Sequence, residues 1–291
     1  MVEINKKISA IMPVFNAEKY LRQSIESILN QSYKFFEFII VNDASSDNSL
    51  KIIKAYAKID KRIKIISNTN NIGEAASRNK GIFNATGDFI AIVDSDDICH
   101  KDRFLLQTSL LNKHKNLVVV GSNIELINNK NIVFGIRKYP LSDKQIRKTI
   151  PYKSPFAHPS VIIRKSALES SGYYNEELVT ACDYDLWFRL LENGEGMNLN
   201  KFLLKYRLHK DQSKEKQFKL TISNTILIQR KYLFSKKYFS FFRLFFHLFF
   251  SLLLIVPNKF VLLLFFLTQY KLNKKTTAYK TSVFTFLNQS T

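Results

Sequence analysis

Three short stretches of the chain set carboxylates and amides side by side just after apolar runs. They are Pro13-Val14-Phe15-Asn16, Asn42-Asp43-Ala44-Ser45-Ser46-Asp47 and Asp94-Ser95-Asp96-Asp97. A packed core does not accept such groups unpaired, so each belongs to a turn, a helix start or a site. Taken singly, Ser46 and Asp47 fit a helix N-cap, where a short polar side chain accepts from exposed backbone N–H groups. Asp94-Ser95-Asp96-Asp97 offers another chemistry, because adjacent carboxylates supply the hard oxygen ligands that Mg2+ and Mn2+ take together with phosphate and water. An isolated Asp-x-Asp is weak evidence for this, since most are solvated loops. Its position after the apolar run FIAIV strengthens it.

The elements that must position these groups are legible. From Lys7 to Asp94, short β-branched runs alternate with helix-period segments, the pattern of βαβ units around a mostly parallel sheet. The strands read KISAIMPV, FFEFIIVND, RIKIISN and DFIAIVD, with helices at about 17–30, 47–58 and 74–85. Right-handed crossovers bring all four strand C-termini to one edge. Ligands of open α/β sheets bind beyond that edge, which is where the three polar stretches fall. Several such stretches converging on one edge predict a site where each alone predicts a turn.

With 291 residues, 46% of them hydrophobic and 13% aromatic, the chain can bury a core in one or two domains. Disordered, collagen-like and disulfide-scaffold classes are excluded. The eight glycines form neither G-x-G-x-x-G nor G-x-x-x-x-G-K-[ST], which argues against a dinucleotide-binding Rossmann enzyme or a P-loop NTPase. Cys99 and Cys182 are too few for a disulfide framework and fit a reducing compartment. The apolar run ISAIMPVF is broken by Pro13 and does not read as a signal peptide. The net charge of +20 is uneven, since residues 214–291 hold 13 Lys+Arg against Glu215 alone, with 14 of the 25 phenylalanines. The shift sets a boundary near Ser213, giving a domain over 1–213 and a basic, apolar C-terminal region over 214–291.

The segments PVFNAEKYLRQSIESILNQSY, FEFIIVNDASSDNS, NIGEAASRNKGIFNATGDFIAIVDSDD, HPSVIIRKSAL, ACDYDLWFRLLENG and YRLH succeed one another between about residues 6 and 213. In order and spacing they resemble family 2 of the nucleotide-sugar glycosyltransferases, inverting enzymes with a GT-A fold. The resemblance implies an α/β domain, its mostly parallel sheet flanked by helices, and Mn2+ or Mg2+ offsetting the charge on a leaving nucleoside diphosphate. It assigns Asp96 to the metal, Asp94 to the metal or the ribose hydroxyls beside Ser95, and Asp97 to a structural role. Asp43 would accept from the imide N–H of a uracil-type base, and the turn Pro13, Phe15 and Asn16 would pack on the nucleoside, with Phe15 equally a core residue. Arg78 would reach the diphosphate, where its fork matches phosphate oxygens, or else stand as a surface helix cation.

Inverting transfer displaces the leaving group directly, so the acceptor hydroxyl must give up its proton to a carboxylate on the opposite face. The resemblance gives that role to Asp183, at a helix N-terminus, with Cys182 where many relatives have glutamate. Asp185 lies off that alignment and reads as a first-turn carboxylate facing the helix dipole. Trp187 with Leu186, Leu190 and Leu191 reads as the helix's packing face. His158 falls near an acceptor or sugar pocket in the family, or is a hydrogen-bonded structural histidine. His209 matches a histidine beside the metal, where neutral imidazole can ligate Mn2+. Arg207 matches a contact to phosphate or to the sugar pocket.

In the C-terminal region, residues 238–256 form a 19-residue apolar stretch interrupted by Arg243, and 260–267 add eight more after Pro257. A spanning helix needs about 20 mainly apolar residues. Lys231, Lys236 and Lys237 precede the stretch and Lys271, Lys274 and Lys275 follow it, and cationic flanks on both sides argue against a crossing. An in-plane anchor on an anionic membrane surface fits best, each cation contributing about 1 kcal/mol; one or two spans, or a soluble packing helix, are the alternatives. The expectation is thus a nucleotide-sugar transferase, UDP-linked, acting on a lipid-linked acceptor of surface polysaccharide or glycolipid synthesis at the cytoplasmic membrane face. Transfer to a polyprenyl phosphate is the related alternative. A nucleic-acid-binding module, prompted by charge alone, is disfavoured because the cations interleave with long Phe/Leu runs.

Overall fold

The protein is described by a computed structural model covering residues 6–209, 218–233 and 271–272. Its first half is the expected βαβ series. Strands β1 (Ile8–Val14), β2 (Phe36–Asn42), β3 (Ile63–Ser67) and β4 (Phe89–Ile92) pair in parallel in the order β3-β2-β1-β4, with Ile8 opposite both Phe36 and Phe89. They alternate with helices α1 (Glu18–Leu29), α2 (Ser49–Ile59) and α3 (Glu74–Phe83). Strands β1, β2 and β4 are apolar on both faces because both faces are covered. Ala10, Met12, Phe38 and Ile40 belong to one core cluster with Leu21, Ile25 and Ile53 of α1 and α2. Ile11, Ile39 and Val41 belong to the other, with Ala75 and Ile82 of α3. Gly81 allows α3 to lie against β1, since a Cβ there would meet Ile11 Cγ2 at 2.6 Å.

Beyond β4 the sheet becomes mixed. After β5 (Ile98–Cys99) and α4 (Arg103–Lys113) come β6 (Leu117–Ile127), β7 (Val133–Arg137), α5 (Asp143–Thr149), a 3-10 turn at His158–Ser160, β8 (Ile162–Arg164), α6 (Lys165–Ser171), α7 (Cys182–Glu192) and β9 (Glu195–Arg207). Strand β8 is antiparallel to both β4 and β6, and β6 pairs antiparallel with β7 and parallel with β9. Fully buried Arg103 ties β4 to the 3-10 turn by donating to the Ile92 and Val161 carbonyls, each at 2.9 Å. Two elements of the C-terminal region close the structure. Helix α8 (Phe218–Leu233) packs on α7, and β10 (Lys271–Leu272) pairs antiparallel with β7. Among the described residues no helix is long and apolar enough to cross a membrane; the stretches 238–256 and 260–267 lie outside them. Cys99 and Cys182 are both buried thiols.

Glu37 of β2 is buried, accepting from Ser9 Oγ at 2.6 Å and from Thr86 N and Oγ1 at 2.7 and 2.8 Å, and pairing with Lys64 at 2.6 Å. Burial opposes its ionisation, but Lys64 and these donors prevail and bring its pKa from 4.5 to about 2. A depressed carboxylate pKa contributes stability that is present above the ordinary value and lost as pH falls through the folded one. Glu37→Gln is therefore expected to cost roughly 2 kcal/mol at neutral pH, after allowance for the solvent around Lys64. Thermal melts from pH 7 down to pH 3 check this: the deficit should shrink below the normal glutamate range.

Candidate active site

The carboxyl ends of the parallel strands build the site from the expected side. Asp43, just past β2, is buried; its Oδ1 accepts from Asn68 Nδ2 at 2.8 Å and Ile72 N at 2.9 Å, and its Oδ2 from Gly73 N at 3.0 Å. Gly73 caps α3 at φ +89°, a backbone that glycine adopts without strain. An ionised carboxylate has about four acceptor positions, so Asp43 keeps capacity for one more donor. Asn68, at the end of β3, is a site residue the sequence reading left out, although it ends the one strand for which no polar group was marked. Beside Asp43, the turn after β1 leaves Phe15 50% exposed, which removes the core alternative for that ring. Asn16 stands in the left-handed region at φ +49°, its Oδ1 accepting from Ser46 N at 2.8 Å. Asp47 caps two helices at once, accepting from Ser49 N at 2.9 Å and from Glu18 N at 3.0 Å.

Past β4, the carboxylates of Asp94, Asp96 and Asp97 offer ligand atoms that all lie within 4.8 Å of one another. Pairing of β5 with β9, Ile98 opposite Lys205, returns the chain's later half to this turn. His209 Nε2 then lies 2.9 Å from Asp96 Oδ2, its ring 5.0 Å from that of Tyr20. Burial, and the Glu74 and Asp96 charges against the restraining Arg78, raise the Asp94 carboxyl to about 6. Asp97 is pushed well up by burial and by its two neighbours. Three carboxylates crowded this closely, with only Arg78 and Arg207 behind them, fit an added cation. Asp97 Oδ2 and His209 Nδ1 are buried without a hydrogen-bond partner among the described residues. Carboxylate oxygens with a single imidazole suit Mn2+ or Mg2+, which Asp94, Asp96 and His209 would hold. Such an ion, when bound, acts as a Lewis acid toward phosphate oxygens.

Both arginines assigned to phosphate stand instead behind the carboxylates. Arg78 is fully buried; its guanidinium pairs with Asp94 and, at 2.8 Å, with Glu74, so it orients Asp94 rather than presenting a free fork. Arg207 is likewise buried. It donates to Asp96 O at 2.8 Å, Asn128 O at 2.9 Å, Asn131 Oδ1 at 2.7 Å and Gln23 Oε1 at 3.0 Å, and its backbone N–H to Asp97 Oδ1 at 2.8 Å. That last contact ties Asp97 to the end of β9. Ser95 follows Asp94 in the same turn, half-buried.

Asp183 is half-buried in the first turn of α7, after Ala181 at φ +59°. The charges of Asp183 and Arg78 both bear on the Tyr174 hydroxyl and on the Cys182 thiol, which burial raises. Tyr174 OH lies 2.8 Å from His158 Nε2, and the His158 ring sits 5.9 Å from that of Trp187. His158 is thus a buried, hydrogen-bonded residue. Trp187, Leu186, Leu190 and Leu191 are fully buried, as the packing face requires. The roles of Tyr174 and Glu74 as partners of His158 and Arg78 carried no signal in the sequence.

A parallel β-α half alone fits many α/β enzymes; the mixed sheet with its antiparallel strands, flanked by helices, matches the GT-A fold that the resemblance implied. Comparison with known proteins gives the branch. The model of Glycosyl transferase family 2 matches residues 9–172, and the chain belongs to that family. It is similar to the putative glycosyltransferase EpsE of Bacillus subtilis, 39% identical over 227 residues, covering 76% of this chain and 80% of the relative. It is also similar to an Escherichia coli protein, UDP-Glc:alpha-D-GlcNAc-diphosphoundecaprenol beta-1,3-glucosyltransferase WfgD, 31% identical over 214 residues, covering 73% and 81%. In fold it is similar to S. aureus TarS 1-349 in complex with UDP-GlcNAc, with a TM-score of 0.62 and 22% identity over 76% of this chain and 66% of that one.

Proposed function

We propose that this family 2 glycosyltransferase moves a sugar, with inversion, from a UDP-linked donor to a lipid-linked acceptor at the cytoplasmic membrane face, in surface polysaccharide or glycolipid synthesis. The observation that carries the reading is the acidic turn Asp94, Asp96 and Asp97 with His209 at 2.9 Å, on the same sheet edge as Asp43 and the exposed Phe15 ring. The turn receives the diphosphate, where Asp94, Asp96 and His209 would hold Mn2+ or Mg2+ as a Lewis acid; Phe15 and Asp43 receive the base, and Asp183 takes the acceptor proton. The names of WfgD and of the TarS complex, a UDP-glucose transferase and a UDP-GlcNAc-bound protein, support a UDP-linked donor; that of WfgD supports a lipid diphosphate acceptor. The Phe-rich region with its 13 cations supports attachment to anionic lipid.

Detergent-free fractionation of cells carrying the full chain tests acceptor and place together. The protein is expected in the membrane pellet, deletion of 238–291 is expected to release it, and label from a UDP-sugar should enter the organic-extractable fraction. A protein that remains soluble and labels only water-soluble products contradicts the reading.

A further inference from the structure

Helix α8 opens the basic C-terminal region, yet its contacts converge on the turn that carries Asp183. Asn224 Nδ2 donates to Thr180 O and Oγ1, each at 3.1 Å. Gln229 Nε2 donates to Tyr152 O at 3.1 Å and reaches Tyr184 OH at 3.4 Å. The rings of Phe188 and Tyr232 stack with centroids 4.2 Å apart and planes 4° from parallel. At the centre is buried Asp185, which accepts from Arg189 Nε at 2.8 Å, Lys231 Nζ at 3.2 Å and Tyr232 OH at 3.3 Å. Its role is therefore not only that of a first-turn carboxylate facing the helix dipole. It is the point at which α7 is fastened to α8.

These contacts bracket the candidate base. Thr180 lies three residues before Asp183 and Asp185 two after it, and Ala181 between them holds a left-handed backbone that a non-glycine residue keeps only when its surroundings impose it. At about 100° per residue, positions 183 and 185 point to opposite sides of the first turn. One carboxylate faces the pocket while the other faces α8. Lys231 is more than half exposed, so its pair with Asp185 adds little stability, and its use here points to orientation.

We propose that α8 is a clamp on the catalytic turn and that Asp185 is the positioning residue through which the clamp sets Asp183. The inference rests on the reading of Asp183 as the base. The C-terminal region thereby does more than tether the enzyme: its first helix completes the acceptor side of the site.

The test uses the full chain and compares Asp185→Asn, Lys231→Met, Lys231→Arg and Tyr232→Phe with wild type. It measures kcat for transfer, KM for the UDP-sugar and the melting temperature. A base displaced by a fraction of an ångström is expected to lower kcat about tenfold or more in Asp185→Asn, with donor KM within about twofold. Lys231→Met should fall in the same way and Lys231→Arg should recover. Tyr232→Phe keeps the stack on Phe188 and should lose kcat a fewfold at unchanged KM, which serves as the reading if Asp185→Asn does not fold. Unchanged kcat in Lys231→Met and Tyr232→Phe overturns the clamp, as does a loss of kcat matched by equal losses of donor affinity and melting temperature. Asp183→Asn run in parallel separates the two ideas. If it is inactive while the clamp variants are normal, only the clamp falls; if it is active, the base assignment falls.

Discussion

Asp183→Asn is expected to lower sugar transfer by about 10²- to 10⁴-fold, the usual contribution of a positioned general base, while UDP-sugar KM stays within about twofold. Asparagine keeps the shape of the side chain in the first turn of α7, so the packing of Leu186 and Trp187 beneath it is undisturbed. What it loses is the ability to take the acceptor's proton. Because the proposed nucleotide site is at Asp43 and the Asp94–Asp97 turn and does not include Asp183, the effect should fall on kcat. Steady-state kinetics with donor and acceptor varied separately checks this. Undiminished transfer would move the base elsewhere, and His158, hydrogen-bonded to Tyr174 at 2.8 Å, would be the next candidate.

The second large effect belongs to Asp96. Asp96→Ala removes the carboxylate that faces both the cluster and His209 Nε2, and with it a proposed ligand for the cation that would offset charge on the leaving diphosphate. Lewis-acid stabilisation of several kcal/mol is at stake, so transfer should fall by about 10³-fold and recover in part at raised Mn2+. The checking measurement is a Mn2+ titration of transfer rate in wild type and variant. Equal Mn2+ dependence in both would place the metal away from Asp96. Asp97→Asn should behave differently, since Asp97 holds the backbone N–H of Arg207, and its main effect is expected on stability.

Much of the site was legible because it depends on local pattern and a topological rule. The β-branched runs ending at Val14, Asn42 and Ile92 announce strands by composition alone, and the handedness of βαβ connections brings Asp43 and Asp94 to one edge. The return of β9 has no such signature. Ile98 pairs with Lys205 across more than a hundred residues, and that pairing, with β9 running beside β6 as far as Arg207, seats His209 beside Asp96. Motif order set His209 against the acidic turn without a physical reason; the reason is the contact of its Nε2 with Asp96 that the fold creates. Arg78 and Arg207 were misplaced toward the diphosphate for the opposite reason. Arginine is expected at surfaces or on ligands; Arg207 is instead held by Gln23, Asp96, Asn128 and Asn131, all remote in sequence, and Arg78 by Glu74 one turn before it and Asp94 past β4. The break at Ser213 is real in charge, yet α8 beyond it packs on α7, because a helix can carry cations on one face and bury Ile226, Ile228 and Tyr232 on another.

The central claim is divalent-cation-dependent transfer from a UDP-sugar at the Asp43 and Asp94–Asp97 edge. It is tested most directly by incubating membranes carrying the full chain with Mn2+ and a panel of nucleotide sugars, with nucleoside diphosphate release as the readout. The account predicts release from a UDP-linked donor that stops on chelation and is lost in Asp96→Ala. Release that is indifferent to chelation, or no release from any donor in the panel, would contradict it.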